Sequence, residues 1–390
     1  MDFRSKKFLT DHIQDTLLFY KNSVDENGGG FYQFYKDDGT VYDKHTRHLV
    51  SSTRFVYNYA MAYLQFKKPD YLQRVKHGLD YIRNVHRNPK TGGYAWVIND
   101  GKIVDDTNHC YGFAFVVLAY ACGVKVGIEE ARQWIAETFD TMEKHFWLPD
   151  FGLYASEASV DWKVANYRGQ NDNMHSCEAM IAAYEATKEQ RYLDRANILA
   201  DNMVNRQAKH SNGQVWEHFK DDWSPDLEYN KNVRTNIFRP WGIQTGHQTE
   251  WAKLLLILDR YTPLDWHLSR AKDLFDRAMK YGWDKNNDGL MYGYDLDGNP
   301  YDEDKYFWVQ AESLAAAALL ADRTNDEHYW QWYDKIWKYS WNYFIDHEYG
   351  AWYRILTPDN KKISDEKSPA GKTDYHTMGV CYEVLNVIKS

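Results

Sequence analysis

The sequence predicts an all-α protein, an (α/α)6 barrel of about twelve helices with short β-hairpins at one mouth. Three observations predict it. A Gly-aromatic strand signal, then a polar loop, then a hydrophobic helix recurs along the chain. The signals are Gly29-Gly30-Phe31-Tyr32, Gly92-Gly93-Tyr94-Ala95-Trp96, Gly152-Leu153-Tyr154, Gly213-Gln214-Val215-Trp216, Gly289-Leu290-Met291-Tyr292 and Gly350-Ala351-Trp352-Tyr353. Successive starts lie roughly 60 residues apart, with one gap near 76, as expected of a repeated supersecondary unit. The helices also alternate between two kinds, which an inner ring of six inside an outer ring of six accounts for.

Taken in order, helical periodicity falls at about 3–22, 47–66, 70–87, 107–123, 128–146, 172–187, 190–207, 245–261, 264–281, 304–322, 326–345 and 374–389. One class is apolar all round or rich in small residues, as in Gly112-Phe113-Ala114-Phe115-Val116-Val117-Leu118, Leu254-Leu255-Leu256-Ile257-Leu258 and Ala315-Ala316-Ala317-Ala318-Leu319-Leu320. Such helices belong inside. Their partners carry charge on one face, as in Asp70-Tyr71-Leu72-Gln73-Arg74-Val75-Lys76 and Leu268-Ser269-Arg270-Ala271-Lys272-Asp273. Lys68-Pro69-Asp70, Thr262-Pro263-Leu264 and Thr324-Asn325-Asp326 separate helices, while Asn286-Asn287-Asp288-Gly289 and Asp297-Gly298-Asn299-Pro300 flank a hairpin. The longest irregular stretch, about 208–244, includes Arg234-Thr235-Asn236-Ile237-Phe238-Arg239-Pro240-Trp241-Gly242 and leads into the eighth helix.

Length alone, 390 residues, suggests two or three domains. A unit of about 60 residues cannot cover its own apolar face and needs neighbours, so residues 1–390 read as one domain. Net charge is −9 with scattered Lys and Arg, which disfavours a nucleic-acid partner. No apolar run reaches membrane-span length, and the N-terminal residues hold no apolar stretch of signal-peptide length. Cys110, Cys122, Cys177 and Cys381 stand far apart, as free thiols of a reducing cytoplasm would. A homo-oligomer is left open. The 16 Trp and 31 Tyr pack helices together, and as a population they also suit a sugar, whose C–H faces lie on aromatic rings.

One polar or aromatic side chain interrupts the apolar pattern just inside the helix after each hairpin: Arg54, Tyr111, His175, His247, Trp308 and His376. If the repeats close into a ring, these six converge. His247 with Glu250, and His175 with Glu178, are i,i+3 pairs on one helix face. Thr245 with Gln248 has capping-box spacing, under which His247 merely faces a loop. Imidazoles near neutral pH take and return protons, and an arginine can hold an oxygen that becomes anionic, which together fit proton abstraction next to a carbonyl. Walker, nucleophile-elbow and dinucleotide-binding patterns do not occur. Three alternatives stay open at this point: a metal held by the histidines and glutamates, glycoside hydrolysis by carboxyls drawn from Glu250, Glu312 or Asp106, and a sugar-binding barrel without catalysis.

At Phe238-Arg239-Pro240-Trp241-Gly242-Ile243-Gln244-Thr245-Gly246-His247-Gln248-Thr249-Glu250-Trp251 the chain resembles the N-acylglucosamine 2-epimerase superfamily, in particular its mannose isomerase (aldose–ketose isomerase) branch. Ser52-Thr53-Arg54-Phe55, Asn171-Asp172-Asn173-Met174-His175 and Trp308-Val309-Gln310-Ala311-Glu312 support the resemblance, which spans nearly the whole chain. It implies work on a free monosaccharide with no cofactor and no essential metal: D-mannose with D-fructose, and by extension D-lyxose with D-xylulose, or 2-epimerisation by the same residues. It further implies that His247 and His376 form the catalytic acid/base pair and that Arg54 binds the C1 and C2 oxygens. Asn171 and His175 would bind hydroxyls or assist ring opening, Glu250 would orient His247, and Tyr111, Trp308 and Glu312 would line the pocket. Arg239 falls in the motif ahead of the histidine and is counted with the substrate-binding residues. Ser368-Pro369-Ala370-Gly371-Lys372 lacks the tryptophan that epimerases of the family often carry before the last histidine, which favours a monosaccharide.

Overall fold

The computed structural model describes residues 1–388 apart from 234, 235 and 237. Arg234, Thr235 and Ile237 of the expected long loop, and residue 389 of the expected last helix, lie outside the described residues. Among the described residues are twelve α-helices. In chain order they are α1 (Lys6–Phe19), α2 (Leu49–Phe66), α3 (Pro69–Tyr81), α4 (Cys110–Lys125), α5 (Ala131–His145) and α6 (Gln170–Thr187). Then follow α7 (Gln190–Ala200), α8 (Thr245–Tyr261), α9 (His267–Gly282), α10 (Phe307–Thr324), α11 (Glu327–Tyr343) and α12 (Tyr375–Val387).

The even-numbered helices form a closed inner ring: α2 packs on α4, then α6, α8, α10 and α12 in turn, and α12 returns to α2. Each odd-numbered helix covers its inner neighbour from outside, α3 on α2 through to α11 on α10, with α1 on α12. This is the (α/α)6 barrel. Burial follows the two sequence classes. Leu254–Leu258 of α8 and Ala315–Leu320 of α10 are buried all round, whereas α9 buries Ala271, Leu274, Phe275, Ala278 and Met279 and turns its charges outward. No helix among the described residues is long and apolar enough to cross a membrane.

Short antiparallel ladders stitch the ring at the end where the inner helices begin. The strand leading into each inner helix pairs with the hairpin that follows the next outer helix. Thus Thr46–His48 pairs with Val97–Asn99, Asn108–His109 with Glu157–Ala158, and Arg168–Gly169 with His218–Phe219. Ile243–Gln244 then pairs with Gly293–Tyr294, and Lys305–Tyr306 with Ile355–Leu356. The last strand, Glu366–Ser368, pairs with the first, Phe34–Lys36, and closes the circle.

These ladders lie a few residues beyond the Gly-aromatic signals, which differs from the expectation. Most of the signals make single bridges, such as Val24 with Phe31 and Trp283 with Leu290, and only Leu153–Tyr154 forms a two-residue strand. At two of the signals the cause is competition for backbone groups, which side-chain amides of the inner helices take instead: Gln248 holds the N–H and C=O of Val215, and Gln310 those of Leu290. The preceding glycine supplies the left-handed turn (φ 81° at Gly213, 82° at Gly289) that drops the aromatic side chain into the core.

Helix boundaries differ from periodicity for local reasons. Ser5 caps α1 by accepting from Phe8 N–H, and Asp326 caps α11 by accepting from His328 N–H. The stretch expected as 70–87 is α3 followed by a π turn at Ile82–His86, and 190–207 is α7 followed by a π turn at Asp201–Arg206. Three inner helices end alike, on left-handed Lys67, Lys188 and Asn325.

Candidate active site

Ring closure brings the six repeat-equivalent side chains together. Arg54, Tyr111, His175, His247, Trp308 and His376, one from each inner helix, line a single cavity at the hairpin end of the barrel. Asn171 and Glu250 line it too, with Phe238, Tyr292, Arg354 and Lys372 among the residues that complete the wall. The two histidines expected to form the acid/base pair flank one indole. The centroid of Trp308 lies 4.9 Å from the His247 ring and 6.0 Å from the His376 ring.

Each of the three cavity histidines has its Nδ1 on a carboxylate. His376 Nδ1 is 2.6 Å from Glu312 Oε1, His175 Nδ1 is 2.8 Å from Glu178 Oε2, and His247 Nδ1 is 2.9 Å from Glu217 Oε1. The ionised Glu312 and Glu178 only accept, so in His376 and His175 Nδ1 carries the hydrogen and Nε2 keeps its lone pair. Such a lone pair is what a general base needs. Burial lowers the proton affinity of His376 to about 4, against the opposing pull of Glu312, so its imidazole is neutral at pH 7. Burial also lowers His175, with Glu178 opposing.

The partner of His247 corrects the expectation that Glu250 orients it. Glu217 does so, from the residue after Trp216 in the fourth hairpin. Gln170 supports both: its amide nitrogen lies 3.1 and 3.3 Å from the Glu217 oxygens and 2.9 Å from His247 Nδ1, and its Oε1 accepts from Trp251 Nε1 at 2.8 Å. Trp251 therefore fixes which way the amide points. The capping box of Thr245 with Gln248 is not formed either, because Gln248 is taken up by Val215.

Glu250 has a different environment. It is 1 % exposed, and neither carboxylate oxygen has a hydrogen-bond partner. Burial, with the neighbouring Glu312 and Glu178 charges, pushes its pKa well above the usual carboxylate range, so it is held as the neutral acid. A buried neutral carboxyl facing a cavity offers a hydrogen to a ligand oxygen.

Arg54 lies across the cavity floor. It donates to Tyr111 Oη at 3.1 Å and to the Gly371 carbonyl, and its guanidinium lies 4.5 Å from the Phe115 ring centre and 4.8 Å from that of Tyr375. Its Nε finds no partner, and neither does Asn171 Oδ1. Buried polar atoms of this kind at a cavity wall are ready for a ligand. Burial raises Tyr111 to about 12, which keeps its phenol protonated.

Two expected pocket residues stand elsewhere. Glu312 lies behind His376 and borders a second cavity on the barrel axis, because its carboxylate is drawn to His376 and Lys253. Arg239 sits in a neighbouring recess, 2.5 Å from Glu157 and 3.9 Å from the Tyr167 ring centre, so a carboxylate and a phenol already occupy its guanidinium. Glu217, Gln170, Lys253, Arg354 and Lys372 were not anticipated. Glu217 left a usable signal: the equivalent residue is Gln33, Trp96, Ser156, Tyr292 or Arg354 in the other repeats, and acidic only here. Two groups have a metal-like arrangement, His175 with Glu178 and Glu250, and Glu250 with Glu312 and His376. The Lys253 ammonium lies 2.6 Å from Glu312 and 3.8 Å from Glu250, so a cation is already built into both.

The chain is similar to several known proteins. D-mannose isomerase of Marinomonas mediterranea is 54% identical over 388 residues, covering 99% of this chain and 98% of that protein. A crystal structure of D-mannose isomerase superposes with a TM-score of 0.97 at 54% identity, covering 99% of each chain. Cellobiose 2-epimerase from Spirochaeta thermophila shares the fold, with a TM-score of 0.87 at 22% identity over 98% of this chain and 96% of that one. A sequence model of the N-acylglucosamine 2-epimerase family matches residues 29–380, and this chain belongs to that family.

Proposed function

We infer that the protein is a cofactor-independent aldose–ketose isomerase that interconverts D-mannose and D-fructose by proton transfer through a cis-enediol. The observation that carries this reading is the pair of carboxylate-anchored imidazoles, His247 and His376, on either side of Trp308 in one cavity. The D-mannose isomerase relative at 54% identity supports the choice of sugar.

The steps follow from the side chains. The sugar lies with a C–H face on Trp308. His247 carries the anomeric hydroxyl proton to the ring oxygen, which opens the ring. His376 Nε2 then removes the C2 proton, and the C2–H electron pair becomes the C1=C2 double bond. O1 takes a proton from the neutral Glu250 carboxyl while Arg54 holds both oxygens as charge develops on them. In the second half O2–H returns a proton to Glu250, C2=O2 forms, and His376 delivers its proton to C1 on the same face. Every group ends as it began.

Solvent-isotope NMR on the metal-stripped protein with D-mannose in D2O tests the reading. Fructose labelled at C1 is the expected product. Glucose labelled at C2 would instead make it a 2-epimerase, with both histidines acting on C2 from opposite faces. His376→Asn and His247→Asn should each lose turnover by about 10²–10⁴ while staying folded; near-normal activity in either removes that histidine from the mechanism. We place the enzyme in the cytoplasm, on the strength of four buried, unpaired cysteines, and give it no nucleic-acid partner because of its net charge of −9.

A further inference from the structure

Behind the sugar cavity the barrel axis is plugged by charge. Lys253, on α8, holds its ammonium 2.6 Å from Glu312 Oε2, 3.7 Å from Glu178 Oε1 and 3.8 Å from Glu250 Oε1. The other oxygen of Glu312 carries His376 at 2.6 Å, and the other oxygen of Glu178 carries His175 at 2.8 Å. One buried cation thus stands behind two histidines, with one carboxylate between it and each. Lys253 does not line the sugar cavity; it borders the second cavity, on the far side of Glu312.

Resting on the proposed function, we propose that Lys253 is a positioning residue: it keeps Glu312 and Glu178 ionised and Glu250 neutral, and so fixes the tautomer and proton affinity of His376 and His175. Three carboxyls around one ammonium cannot all be ionised in a buried site. The two nearest bonded to histidines share the cation, and the third keeps its proton. Burial opposes ionisation of Glu312, yet the Lys253 charge and the His376 bond hold it at about 2. Without the cation one of the histidine-bound carboxylates takes up a proton. A protonated Glu312 no longer requires a hydrogen on Nδ1, so the ring loses the tautomer that leaves Nε2 free.

Other charged groups face the plug, among them Glu383, which burial raises while Arg260, Lys253 and Lys125 oppose. Arg54 of α2 acts on Glu250 and His376 from the cavity side. Lys125 of α4 is paired with Glu185 of α6 at 2.5 Å, and Glu383 of α12 with Arg260 of α8 at 3.5 Å. Tyr375 of α12 donates to Glu178 at 2.7 Å. No second cation lies within 4 Å of Glu312 among the described residues.

The test compares Lys253→Met, Lys253→Gln and Lys253→Arg with His376→Asn, each checked for folding by its melting temperature. Lys253→Gln keeps a hydrogen-bond donor without charge and guards against a Met variant that does not fold. Removal of the charge should lower kcat by 10-fold or more, leave KM within about 2-fold, and move the acid limb of kcat/KM toward neutrality, since losing a cation favours a bound proton. Lys253→Arg should restore most of kcat and the original limb. A folded Lys253→Gln with wild-type kcat and an unmoved pH profile overturns the proposal, as does a defect in KM alone. If His376→Asn is itself active, the proposed function fails first; if it is dead and Lys253→Gln is normal, only the role of Lys253 fails.

Discussion

Glu217 shows how much one carboxylate decides. Glu217 and the Gln170 amide nitrogen each lie 2.9 Å from Nδ1 of His247, and with the Gln170 oxygen taken by Trp251 only the carboxylate can accept a hydrogen from that nitrogen. Glu217→Gln preserves size but replaces an obligate acceptor with a group that also donates, so the wrong tautomer becomes available. A kcat loss of about 10²–10⁴ with an unchanged melting temperature is the expected result, read by steady-state kinetics. The pH profile should have two limbs with different owners. Activity falls as pH drops through about 4, where His376 becomes protonated and ceases to be a base. It falls again as pH rises past the elevated pKa of Glu250, whose proton is the donor. Glu250→Gln keeps a neutral donor, so its residual activity should lose the alkaline limb; an unmoved limb would assign that titration elsewhere. The six cavity positions were legible in the sequence because the repeat places them equivalently. Glu217 and Lys253 were not, because their importance comes from which helix ends up opposite them, and spacing along the chain carries no such information.

At the scale of elements, helices were legible and hairpins less so. Apolar periodicity marks α8 and α10 because their burial is set by their own side chains. The Gly-aromatic segments were expected to be strands, and most are single bridges; at Val215 and Leu290 amides from another element claim the backbone groups. Gln310 makes the point: its side chain accepts from Leu290 N–H at 3.0 Å and donates to Leu290 C=O at 2.8 Å. Gln310→Ala leaves both buried groups unpaired and should cost about 1–3 kcal/mol, measured by denaturant unfolding. A change within a few tenths would mean that water replaces the amide. A similar blindness applies to the Thr245–Gln248 spacing, which satisfies a capping pattern that the folded chain does not use.

For the whole molecule, the period of about 60 residues implied closure, and closure is what the last ladder, Glu366–Ser368 on Phe34–Lys36, and the contact of α12 with α2 accomplish. The site was legible only through that step, since no two of its six repeat-equivalent residues come from the same helix. This has a consequence for refolding. A chain with five repeats docked already has most of its helix but lacks one wall of the cavity. After dilution from denaturant, far-UV ellipticity should therefore recover ahead of catalytic turnover, and the lag should lengthen in variants that weaken the seam between first and last strands. Simultaneous recovery of the two signals would mean that the circle forms before its arcs are complete.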